Sequence, residues 1–176
     1  MRNAIPKRKK TDMFKVFLPD RLIDHFYELT PDILTSLGIR LLIADIDNTL
    51  VPYDEKLPTD EVVRWAAALR DANIALALIS NNSKERVELF NSRLGVFAVP
   101  KSGKPKKRAV ETVTARFGIP KAETALIGDQ LFTDILCGRR AGVYTVLTKR
   151  ISGDESFFIK IKRMLERPIR LILGIK

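Results

Sequence analysis

Residues 41–50 read Leu-Leu-Ile-Ala-Asp-Ile-Asp-Asn-Thr-Leu, an apolar run of strand length that stops at two carboxylates one residue apart. An unbroken apolar run suits a strand covered on both faces, and such strands belong to parallel sheets. In an open parallel sheet, ligands gather outside the carboxyl ends of the strands, so Asp45 and Asp47 would stand at the natural site. If Ile46 continues the strand alternation, both acids lie on one side and converge on one ligand. Standing alone, the segment is better read as a strand running into a polar turn, because Asp and Asn are good turn formers. The rest of the chain changes that reading.

Apolar runs of strand length recur and alternate with helical patterns. Strands are expected at about 40–46, 74–79, 96–99, 124–127 and 143–147. Between them, Thr59 can cap a helix over 60–72, Ser83 one to about 94, and Pro105 suits an early position in one to Phe117. A further helix is expected over 131–140. Upstream, the apolar spacing predicts two short helices, with Asp20 and Thr30 as caps. No internal repeat or low-complexity segment interrupts the alternation. The expected fold is therefore an α/β three-layer sandwich on a mainly parallel, Rossmann-like sheet. The expected organisation is a basic arm over 1–12, a helical segment over 13–39 packed on the core, a core over 40–150, and a basic amphipathic helix and tail over 151–176.

Composition closes off several chemistries. The 176 residues hold one histidine, His25, and one cysteine, Cys137. Histidine-based zinc sites and Ser-His-Asp hydrolysis are poor candidates, and no internal disulfide is possible. A reducing cytoplasm is the expected setting. No apolar stretch reaches the roughly 18 residues that cross a bilayer, and the basic N-terminus lacks the apolar core of a signal peptide. The net charge of +10 sits at the two ends: residues 1–10 carry +5, residues 157–176 carry +5, and the middle is neutral. Contact with an anionic surface explains that distribution better than solubility does.

Three more signals fall at expected strand ends. Ser80-Asn81-Asn82 follows the second strand, where a hydroxyl and the amides opening a helix form an anion site. Lys104 lies in the basic loop Lys101–Arg108, before a helix. Gly128-Asp129 ends the fourth strand, and Asp134 follows five residues after Asp129. Singly, these are a helix cap, a solvated basic loop and a turn. Together they supply what phosphoryl transfer needs. Carboxylates hold a divalent metal or attack phosphorus, while a lysine and backbone amides neutralise the phosphoryl oxygens.

The set Asp45-x-Asp47-x-Thr49, Ser80, Lys104 and Gly128-Asp129-x-x-x-x-Asp134 resembles the haloacid dehalogenase-like phosphatases over roughly residues 40–148. Within them it looks like subfamily IIIA, and the YqeG-like phosphatases in particular. The resemblance implies that Asp45 is the nucleophile and that Asp45, the Asp47 main-chain carbonyl and Asp129 bind Mg²⁺. It also implies that Asp47 is the general acid and base and that Thr49 supports the loop. Ser80 and Lys104 would bind the phosphoryl group, with Asn81 beside them, and Asp134 would steady the metal site from behind. An Asp at position 47 favours a phosphatase over the dehalogenases, which lack that acid.

Spacing and charge bear on the substrate. Asp47 and Ser80 are 33 positions apart, and Ser80 and Lys104 are 24 apart, each filled by one helix and one strand. Neither interval has room for a cap domain, so the site is expected to be open and to suit a phosphate on something large. In residues 157–167 an apolar stripe of Phe157, Phe158, Ile161, Met164 and Leu165 accompanies four basic residues, a pattern suited to a membrane interface. The same helix could instead pack on the sheet, and Pro168 is expected to end or kink it. The YqeG-like group also resembles mitochondrial-type phosphatidylglycerophosphate phosphatases. The leading expectation is hydrolysis of that anionic phospholipid at the cytoplasmic membrane face, reached through the basic termini. The alternatives are a phosphatase for nucleic-acid ends or small phosphate esters, and a non-catalytic RNA- or ribosome-associated module.

Overall fold

The computed structural model describes residues 14–151 and 157–175, with side chains from 164 onward in the second span. Six parallel strands form one sheet: β1 (Arg21–Ile23), β2 (Leu41–Ala44), β3 (Ala75–Ile79), β4 (Phe97–Val99), β5 (Thr124–Gly128) and β6 (Tyr144–Thr148). Their order across the sheet is β1-β6-β5-β2-β3-β4. Between and after them run α1 (Pro31–Ser36), α2 (Asp60–Asp71), α3 (Lys84–Asn91), α4 (Arg108–Phe117), α5 (Leu136–Ala141) and α6 (Phe157–Leu173).

The pleat of β2 explains the three layers. Leu42 and Ala44 point into a core shared with Leu34 of α1, Val62, Trp65 and Leu69 of α2, and Val87 and Phe90 of α3. Leu41 and Ile43 point the opposite way, into a core with Ala109, Val110 and Val113 of α4 and Cys137 of α5. Both faces being covered is why the strand carries no polar residue. The first core gains extra definition where Trp65 Nε1 donates to the Leu29 carbonyl at 3.0 Å and Phe26 meets its ring edge-on. The expected α/β sandwich is the fold, and no cap domain interrupts it among the described residues.

Five local expectations change. The first of the two upstream helices is split: Arg21–Ile23 is strand β1, at the sheet edge against β6, and only Phe26–Glu28 forms a short 3-10 turn. Asp20 is not a helix cap: its carboxylate accepts from the Thr145 amide and hydroxyl, both at 2.8 Å, and pairs with Arg139 at 2.9 Å. Those long-range bonds outweigh the local helical spacing. Thr30 does cap α1, as expected.

Pro105 lies not in the first turn of α4 but in the loop before it, after a cis peptide bond, and the helix begins at Arg108. Asn81 grips the Lys104 amide and carbonyl, which holds this loop off the helix. The expected helix after β5 opens as a π-turn, Leu131–Ile135, before α5. Finally, α6 continues through Pro168 to Leu173, and Gly174 closes it in the left-handed conformation, with the Ile175 amide donating to the Arg170 carbonyl at 2.9 Å. The arm over 1–12 lies outside the described residues, as do the side chains of Phe157, Phe158 and Ile161.

Candidate active site

The chain runs from β2 outward to β3 and β4 on one side, then returns to β5 on the other. This leaves a crevice between the carboxyl ends of β2 and β5, where open α/β sheets bind ligands. Asp45 leaves β2 at this point, and Asp129 leaves β5 opposite it. Asp45, Asp129 and Asp134 each offer a carboxylate oxygen, all within 4.8 Å of one another, and all three are buried.

Lys104 reaches in from the loop beyond β4. Its Nζ donates to Asp45 Oδ1 at 2.6 Å, to Asp134 Oδ1 at 2.7 Å and to the Ile79 carbonyl at 3.2 Å. Three hydrogens meet three acceptors, so the buried ammonium is satisfied. Its loop is set by the side chain of Asn81. Nδ2 of Asn81 donates to the Lys104 carbonyl at 3.1 Å, and Oδ1 accepts from the Lys104 amide at 2.8 Å and the Ser102 hydroxyl at 2.9 Å. Asn81, expected among the phosphate-binding residues, thus has its side chain engaged in holding the lysine loop.

Gly128 explains why Asp134 comes so close. A Cβ at Gly128 would lie 2.2 Å from Asp134 Cγ, so only glycine admits this carboxyl against the end of β5. Asp134 Oδ2 then accepts from the Gln130 amide at 3.1 Å and the Thr133 hydroxyl at 3.2 Å, which locks the π-turn. The resemblance places Asp134 behind the metal site, and its carboxylate lies within 4.8 Å of those of Asp45 and Asp129. It stands in the carboxylate trio itself and shares Lys104 with Asp45.

Electrostatics follow from the count of three buried acids around one ammonium. Burial, helped by the neighbouring Asp134 and Asp129 and opposed by Lys104, pushes the Asp45 carboxyl from 3.8 up to about 8. Burial also works against the Lys104 charge, but Asp134 and Asp45 overcome it and drive its pKa upward. The surplus negative charge is what a divalent cation would balance, and an all-oxygen carboxylate set is the donor chemistry of a hard ion. The residues fit a metal.

Asp47 is placed differently. Its carboxylate accepts from Arg86 Nη2 at 2.9 Å and from Asn82 Nδ2 at 3.4 Å, outside the buried trio but on the wall of the same pocket. Arg86 also donates to the carbonyls of Lys56 at 3.0 Å and Glu55 at 2.6 Å, tying the loop after β2 to α3. The sequence reading placed Arg86 only as a helix residue. No local pattern marks it, because its partners lie 30–39 positions away in the chain.

Thr49 Oγ1 stands 3.5 Å from both Asp45 Oδ2 and Asp129 Oδ1. Ser80 Oγ accepts from the Asn82 amide at 3.1 Å, so its hydroxyl hydrogen remains to be donated into the pocket. Asp45, Asp47, Asn48, Tyr53, Ser80 and Lys104 are among the lining residues of this open polar pocket of about 250 Å³.

Comparison with known proteins gives the family. The haloacid dehalogenase-like hydrolase family matches residues 9–142. A Bacillus subtilis (strain 168) protein named "Probable phosphatase YqeG" is 33% identical over 155 residues, covering 88% of this chain and 90% of that protein. The chloroplastic/mitochondrial phosphatidylglycerophosphate phosphatase 1 of Arabidopsis thaliana is 28% identical over 145 residues, covering 77% of this chain but 42% of the plant protein. In fold, the chain resembles the 3-deoxy-D-manno-octulosonate 8-phosphate phosphatase of Moraxella catarrhalis. That likeness has a TM-score of 0.53 at 20% identity, over 82% of this chain and 92% of the other, whose crystal structure holds magnesium, phosphate and KDO. With its carboxylates and lysine gathered at the strand ends, this chain belongs to the haloacid dehalogenase-like hydrolase family and is a phosphatase.

Proposed function

We propose that the chain is a Mg²⁺-dependent phosphomonoesterase that works through an aspartyl-phosphate on Asp45 and takes phosphatidylglycerophosphate as substrate. The observation that carries the chemistry is the convergence of Lys104, Asp129 and Asp134 on Asp45 at the floor of an open polar pocket. Asp45, Asp129 and the Asp47 main-chain carbonyl would hold Mg²⁺, with Asp134 beside them. The bound ion would supply Lewis-acid stabilisation of the phosphoryl oxygens and keep Asp45 ionised.

In the first step an Asp45 carboxylate oxygen attacks phosphorus and the ester P–O bond breaks. Asp47 gives its proton to the departing alkoxide oxygen. In the second step water attacks the phosphorus, Asp47 takes the water proton, and the bond to Asp45 breaks to release phosphate. Lys104 holds Asp45 in line and balances charge, and Ser80 donates to the phosphoryl oxygens. Arg86 and Asn82 keep Asp47 at the pocket wall, where a leaving group would depart.

The lipid substrate rests on three supports: the plant relative's name, the open pocket without a cap, and the +10 charge gathered at the chain ends. Phosphate release from phosphatidylglycerophosphate in mixed micelles with Mg²⁺ tests it. Turnover is expected, and Asp45→Asn should reduce it by at least about a thousandfold. Good turnover of a soluble phosphate ester with none on the lipid would sink the lipid substrate and leave the phosphatase.

A further inference from the structure

The described half of α6 wears its amphipathicity inside out. Glu166 is 1% exposed, and Ile169 and Arg170 lie against the protein, whereas Met164, Leu165, Leu171 and Ile172 are 61%, 55%, 82% and 50% exposed. At 100° per residue, Met164, Leu165, Pro168, Leu171 and Ile172 fall within one arc of about 120°. Glu166, Ile169, Arg170 and Leu173 fill the opposite arc. An ordinary surface helix shows the reverse.

The inward face is attached to the active-site loop. Glu166 Oε1 accepts from the Phe132 amide at 3.0 Å, and Arg170 Nη2 lies 3.4 Å from the Asp129 carbonyl. Ile169 and Ile175 pack with Leu131 and Ile135 of the π-turn and with Leu147 of β6. The π-turn is also the element that carries Asp134. One helix therefore has the carboxylate loop on one side and bare hydrocarbon on the other.

We propose that the outer face of α6 is a docking surface for an anionic lipid bilayer, which seats the active site beside the membrane. This deepens the lipid-phosphate reading and rests on it. Charge selects the occupant. Residues 157–176 carry a net +5, and the exposed Arg167 flanks the apolar arc. An aliphatic arc beside the exposed Arg167, on a segment of net positive charge, matches the hydrocarbon and headgroup layers of an acidic membrane in turn. A nucleic acid would call for basic or aromatic groups where Leu165, Leu171 and Ile172 stand. No helix among the described residues is long and apolar enough to cross a membrane, so the helix would lie in the interface.

The test is flotation of the full-length protein with phosphatidylcholine vesicles and with vesicles that also contain phosphatidylglycerol, comparing the parent with a Leu171→Glu/Ile172→Glu variant. The parent should float with the phosphatidylglycerol vesicles. The variant should bind them at least about tenfold more weakly, since each lost apolar insertion is worth roughly an order of magnitude. Its thermal unfolding midpoint and its Mg²⁺-dependent hydrolysis of para-nitrophenyl phosphate should match the parent's. Equal vesicle binding by parent and variant, or none by the parent, would overturn the proposal. So would light scattering that shows a parent dimer split by the substitutions, with no vesicle binding. Binding is scored without turnover, so vesicle binding with no hydrolysis of the lipid phosphate supports the docking face and sinks the substrate alone.

Discussion

Around Lys104 the protein buries charge, and along the outer face of α6 it exposes hydrocarbon. Lys104 and Asp134 have side chains 3% and 0% exposed, yet each finds partners within 2.6–3.2 Å inside the same chain. Leu171 is 82% exposed, and its arc is matched by nothing in the described part of the chain. Both regions break the rule that oil goes in and charge stays out. The first is compensated internally apart from the surplus negative charge that calls for a metal. The second has no counterpart among the described residues. Under the proposed function the two regions would be two faces of one task.

Removing the ammonium should strain the first region most. Lys104→Ala leaves Asp45 and Asp134 buried without their cation and should cost about 3–5 kcal/mol of stability by urea denaturation, with Mg²⁺ recovering part of it. If the loss were below about 1 kcal/mol, internal compensation would be the wrong description of this site.

Titration sharpens the same point. The Asp45 carboxyl is raised from 3.8 to about 8 on folding, so between those values the native protein holds a proton that the unfolded chain releases. The stability contributed is greatest below about pH 4 and is lost as pH rises toward 8, with a slope of at most about 1.4 kcal/mol per pH unit. Lys104, raised in the folded state, contributes stability below its ordinary 10.5 and stays constant across this window. Thermal midpoints in chelator should therefore fall from pH 5 to pH 8. Mg²⁺, standing in for the proton, should flatten the trend.

Gly128→Ala tests the packing behind the carboxylates. The new methyl would displace Asp134, and the Mg²⁺ concentration for half-maximal phosphate release should rise about tenfold or more. Arg86→Ala should act more mildly, lowering kcat by about tenfold with little change in KM, because it frees Asp47 without touching the trio. Arg86→Lys should restore only part, since an ammonium lacks the fork that bridges one carboxylate and two carbonyls.

Much of this was legible beforehand, for identifiable reasons. The grouping of Asp45, Ser80 and Asp129 was legible because each follows the last residue of a strand, and strand ends are written in local apolar runs; Lys104 comes instead from the loop beyond β4. Thr30, Thr59 and Ser83 were legible as caps because capping is a bond across three residues. The edge strand β1 was missed because its identity depends on pairing with β6, some 125 positions away. Arg86 was passed over because its partners Asp47, Glu55 and Lys56 lie 30–39 positions back. Pro168 does not end α6, because Glu166 before it and Ile169 and Ile175 after it hold the helix against the π-turn.

From its order of residues alone, the protein determines an alternating α/β core, the carboxyl-ended strands and the chemistry gathered on them. These follow from periodicity, capping and turn preference, which act within a few residues. Only the tertiary structure decided that Asp134 joins the trio through the gap at Gly128, that Asn81 serves the lysine loop, and which way α6 faces. Each of those depends on which distant surfaces meet. An amphipathic pattern states that a helix has two faces; only packing decides which of them turns inward.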